Sequence, residues 1–168
     1  MAGIADRFNP HTPRRAVSCI LAVLGLALGG LWVYYLVRFI TTGALPAGSS
    51  LVEPDVVVHL GIALDLALLV PAYALAAVWL WQGIPVGYVL AAVALVSGTL
   101  HQLSYMVALL FQAAAGVPGA VAFDPVEPFI ALLYLLASAL LLWGAGSQRR
   151  EPSTGHMAHE TSPIANQP

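Results

Sequence analysis

Apolar residues gather into four long runs along this chain, and nearly every charged residue lies between or beyond them. Ala16–Val37 carries no charge. Val56–Trp81 is interrupted only by His59 and Asp65, and Val86–Phe111 only by His101. The run from Val126 to Ala145 has no charge after Glu127. A helix rises about 1.5 Å per residue, so each run can cross the roughly 30 Å of hydrocarbon in a bilayer. Backbone groups find no water there and must be satisfied within each segment, which predicts helices. The expected fold is all-α: a polytopic membrane protein with four transmembrane helices, over about 16–40, 56–81, 86–112 and 126–145, in an antiparallel bundle.

Composition agrees. Sixty per cent of the chain is apolar and 8% is charged, against about 25% charged in an average soluble domain. Six arginines, no lysine and eight acids give a net charge of −2. That is too little charge to cover a soluble enzyme, and it leaves no basic patch for nucleic acid. Cys19 stands alone, so a disulfide framework, a CxxC pair and a zinc cluster are all excluded.

The first run is expected to be a retained helix rather than a secretory signal, because it is long and no small-residue cleavage site follows it. Arg7, Arg14, Arg15, Arg149 and Arg150 flank the ends of spans one and four that must share a side. The opposite loops hold Glu53, Asp55, Asp124 and Glu127. The positive-inside rule then places both termini in the cytoplasm, with Trp79, Trp81, Tyr88 and Trp143 as an inner aromatic belt. Residues 1–15 are expected to be a cytoplasmic segment, 16–146 the membrane domain, and 147–168 a disordered cytoplasmic tail holding His156 and His159. Gln82–Pro85 should form a tight inner hairpin. Each outer loop passes through Gly and Pro to an acid–proline pair, Glu53-Pro54 or Glu127-Pro128. Either a duplicated hairpin or the ordinary preference of helix starts for acid and proline would give this pattern.

Spans two and three carry Asp65-Leu-Ala-Leu-Leu-Val-Pro71, then Ala76-Ala77-Val78-Trp79-Leu80-Trp81, then Pro85-Val86-Gly87-Tyr88-Val89-Leu90-Ala91-Ala92. This stretch resembles a group of small uncharacterised four-span membrane proteins of bacteria and archaea. In those, an Asp-Leu…Pro helix leads through a tryptophan-ended turn into a Pro-x-Gly-Tyr helix. Where they carry basic residues in the inner turn, this chain has Gln82 and Gly83. The resemblance implies the four-span fold and a prokaryotic plasma membrane, and it brings no activity or cofactor.

Asp65 lies about 13 Å below the outer end of span two. An ionised Asp at such depth costs about 2.5–3.5 kcal/mol, so it should face protein or water, or else stand neutral, since desolvation raises a carboxyl pKa. His101, about 15 Å deep, and Tyr105, about 9 Å deep, are expected as its partners. Ser97, His101, Ser104, Tyr105, Ala108 and Gln112 share one face of span three, which is expected to line the interior. Arg38, Asp65, His101, Gln102 and Tyr105 thus form a candidate intramembrane cluster. It would serve either as a pocket for protons or a small ligand, or as hydrogen-bonding glue between helices.

His59 is about 5 Å deep against about 15 Å for His101, a mismatch that argues against shared haem iron. Gly25 and Gly29 form a GxxxG pattern suited to close helix packing, inside the chain or against a partner. Pro71 should kink span two and leave the carbonyl of Ala67 without its donor. There is no HExxH, GxSxG, Walker loop or paired carboxylate within a span. No metal or cofactor is expected. The expected partners are the bilayer and a further membrane subunit or a second copy. The leading expectation is a non-enzymatic subunit or accessory protein; a proton-linked carrier using Asp65 and His101, and a haem or quinone protein, are the alternatives.

Overall fold

Each apolar run becomes one helix in the computed structural model, which describes residues 13–43 and 50–146, the last two by backbone alone. The expectations for Arg7 and for the tail with Arg149, Arg150, His156 and His159 lie outside the described residues. The helices are α1 (Arg14–Thr42), α2 (Asp55–Gln82), α3 (Pro85–Ala114) and α4 (Val126–Gly146). All four are long and apolar enough to cross a membrane.

Local chemistry sets their ends. Pro54 holds an extended conformation before α2, Asp55 occupies its first turn, and Pro85 opens α3 where a missing N–H costs nothing. At the α2–α3 turn Gly83 takes φ 76°. This left-handed residue lets the Gly83 N–H reach the Leu80 carbonyl at 3.0 Å and the Ile84 N–H reach Trp79 at 2.9 Å. The paired bonds close the helix at the turn.

Within α2 the register widens. Asp65–Leu69 form a π-helical turn, with the Val70 N–H bonded to the Asp65 carbonyl five residues earlier. Pro71 follows directly. Its ring supplies no N–H and crowds the preceding turn, and a local π-type adjustment is one way a helix absorbs both effects. The expected disturbance at Pro71 thus takes the form of a wide turn that begins at the one acid inside the span.

The helices pack in a ring: α1 on the second half of α2, that half on α3, α3 on α4, and α4 back on α1. Residues at three- and four-residue spacing fill the centre, among them Val17 and Leu21, Tyr73 and Leu80, Ala91 and Leu95, Ala137 and Leu141. Arg15 lies over the Trp81 ring at 5.6 Å, so this core sits toward the end of the molecule that carries the α2–α3 turn. Toward the other end, α1 buries nothing beyond Gly29 and α2 buries nothing from Asp55 to Leu69. The two halves of the molecule therefore differ in kind. One holds most of the buried apolar side chains, and the other carries polar links beside a few buried residues such as Leu109 and Ala131.

Candidate functional site: polar links within and above the spans

Asp65 meets Trp32. The indole Nε1–H donates to Asp65 Oδ2 at 2.8 Å, joining α1 to the π turn of α2. Both residues are half-buried. Asp65 is the eleventh residue of its helix and Trp32 lies ten residues before the end of α1, so they sit about 15 Å from the start of α2 and from the end of α1. An indole N–H inside a span needs an acceptor, and matched depth supplies it. Neither His101 nor Tyr105 is hydrogen-bonded to Asp65.

α3 is rotated relative to the sequence-based expectation. Gly87, Ala91, Leu95, Gly98, Gln102 and Leu109 are buried, whereas Ser97, His101 and Ser104 lie on the exposed side. Size decides this. A side chain on Gly98 would run into the Tyr134 ring, so the small face of α3 is the one on which α4 can close. Hydroxyls inside a helix do not require burial in the bundle, since they can bond their own backbone, as Thr99 does to the Leu95 carbonyl at 2.8 Å.

The remaining members of the expected cluster have separate partners. Gln102 donates its amide to the Glu127 carboxylate, tying α3 to the first turn of α4. Tyr105 accepts the Leu51 N–H through its hydroxyl at 3.3 Å. Arg38 is exposed and makes no ion pair among the described residues, though its carbonyl accepts the Thr42 hydroxyl at 2.7 Å. His59 lies against Phe39 with ring centroids 6.3 Å apart, and is exposed like His101. The five cluster residues are thus divided among three contacts and two exposed positions rather than gathered in one pocket.

The segments leading into α2 and α4 are bound by further polar contacts. The Gln112 amide treats the Val52 peptide as a strand neighbour would, accepting its N–H at 2.9 Å and donating to its carbonyl at 3.0 Å. Ser50 donates to Asp124 at 2.6 Å, and Asp124 also accepts the Val126 N–H at 2.9 Å. These two bonds hold the Asp124 carboxyl below its ordinary range. In the core the Tyr73 and Tyr134 hydroxyls meet at 2.7 Å. Gly25 and Gly29 face α2, where a Cβ would lie 3.0 Å from Tyr73 Cβ and 3.1 Å from Val70 Cγ1.

No family model, no curated protein and no solved structure matches the chain. Among the described residues no three His, Cys, Asp or Glu side chains are grouped so as to hold a metal ion. Functional reasoning for this protein therefore starts from its own contacts.

Proposed function

We propose that this chain is a non-enzymatic multi-pass membrane protein, a subunit or accessory component of a prokaryotic plasma membrane. Its four spans form an antiparallel up-and-down bundle with both termini in the cytoplasm. The arginines near the start of α1, set beside the α2–α3 turn, support that orientation through the positive-inside rule. The Asp-Leu…Pro and Pro-x-Gly-Tyr pattern of spans two and three supports the prokaryotic assignment.

One observation carries the non-enzymatic reading: three hydrogen-bonded side-chain pairs inside the described bundle each join two different elements. Trp32–Asp65 joins α1 to α2, Tyr73–Tyr134 joins α2 to α4, and Gln102–Glu127 joins α3 to α4. Side chains arranged this way hold helices in register. Chemistry on a substrate would call for several of them to face one shared space.

Native mass spectrometry of the full chain, extracted gently from its own membranes, tests the reading. The expected result is a stoichiometric complex with a further membrane polypeptide or with a second copy. A bare single chain carrying a stoichiometric redox cofactor or a tightly held metabolite would overturn it.

A further inference from the structure

In the Trp32–Asp65 pair an acid far from either helix end is held by a single neutral donor. Oδ2 takes the indole N–H, and no described residue donates to Oδ1. No Arg or His forms an ion pair with this carboxylate among the described residues; Arg38 and His101 both stand exposed, away from it. Glu127, the other acid inside a span, is engaged by Gln102. Asp65 is thus a carboxyl group inside a span with one neutral donor and no Arg or His partner among the described residues.

Its surroundings are aromatic and laterally open. Trp32 packs on Tyr35 with ring centroids 5.9 Å apart, and Tyr35 on Tyr34 at 5.6 Å. The stretch of α2 leading to Asp65 buries none of its residues on the rest of the chain, so the carboxylate can be reached from the side of the bundle. An ionised acid at this depth is costly unless a positive charge accompanies it. Indole and phenol faces attract the same charge, more strongly where water is excluded. An anion would be repelled, and a neutral apolar molecule would leave Oδ1 as it is.

We propose that Asp65, with Trp32 and Tyr35, forms a binding site for a lipophilic organic monocation that arrives from within the bilayer. The carboxylate supplies the counter-charge and the tilted rings supply aromatic faces. The π turn fixes the site by setting Asp65 at the point where α2 leaves the core. This inference goes beyond the accessory role proposed above, and either can fail without the other.

The test uses the full chain in proteoliposomes and two probes of equal shape and opposite charge, tetraphenylphosphonium and tetraphenylborate. Saturable binding of the cation is expected, with no saturable binding of the anion. Asp65→Asn, which retains an oxygen to accept the Trp32 N–H, should weaken cation binding about tenfold or more, and His101→Ala should leave it unchanged. A hydrophobic carbodiimide should modify Asp65 in the unaltered chain, and the phosphonium should protect it, as read by peptide mass spectrometry. That arm stands even if Asp65→Asn does not fold. Equal uptake of both probes, cation binding indifferent to Asp65→Asn, or carbodiimide labelling indifferent to the phosphonium would overturn the proposal.

Discussion

The hydroxyls of Tyr73 and Tyr134 meet at 2.7 Å in the core, each the other's hydrogen-bond partner across α2 and α4. Tyr134 reaches this point because Gly98 on α3 leaves room for its ring. Removing one hydroxyl leaves the other buried without a partner, at a cost of about 1–3 kcal/mol, whereas removing both takes away the orphan as well as the bond. Tyr134→Phe is therefore expected to unfold at lower temperature in detergent than the parent. The double change Tyr73→Phe with Tyr134→Phe should recover part of the loss, and thermal unfolding of the three proteins checks this.

Gly25 and Gly30 are five residues apart and differ in surroundings. A Cβ on Gly25 would press on Tyr73, while one on Gly30 would meet nothing within 4 Å. Gly25→Leu should destabilise the bundle by about 1–3 kcal/mol through overpacking. Gly30→Leu should be neutral or slightly stabilising, because leucine favours helix over glycine. Equal losses from both changes would mean that α1 is packed differently.

The four helices are legible in the sequence because long apolar runs leave the backbone few alternatives. The rotation of α3 is harder to read. Ser97, His101 and Ser104 define a polar stripe one residue away from the face that carries the small residues Gly87, Ala91 and Gly98. Polarity points to the first stripe, yet the distance at which helices can approach favours the second. Trp32 escapes a reading centred on charge, although an indole donor at the depth of Asp65 is a signal that depth counting can recover. Glu127 is masked by its position: an acid in the first turn of a helix is explained by the helix end alone, and only the fold brings Gln102 to it.

Asp124 sits outside the spans and accepts bonds from Ser50 and Val126 that lower its carboxyl pKa from the ordinary 3.8. A carboxyl depressed on folding stabilises the fold above its ordinary pKa, and that contribution is lost as pH falls through the lowered value. Ser50→Ala removes the larger cause, so the Asp124 titration should move upward toward the ordinary range. Carbon-13 NMR of the Asp124 carboxyl in both proteins measures the shift. An unchanged midpoint would show that Ser50 does not engage it.

Gln112→Ala should release the first outer loop without disturbing the core, since its amide bonds only the Val52 peptide. Hydrogen exchange at the Val52 amide should accelerate while exchange around Leu95 stays as it was. Parallel acceleration at both places would mean that the loop and the core open together.

The division of the interior polar groups into pairs is tested most directly by double-mutant cycles on thermal unfolding in detergent. One cycle combines Trp32→Phe with Asp65→Ala, and the other combines His101→Ala with Asp65→Ala. The expected result is a coupling of about 0.6–1.7 kcal/mol between Trp32 and Asp65, the range of hydrogen bonds between membrane helices, and none between His101 and Asp65. Coupling of that size between Asp65 and His101, with none to Trp32, would contradict the account.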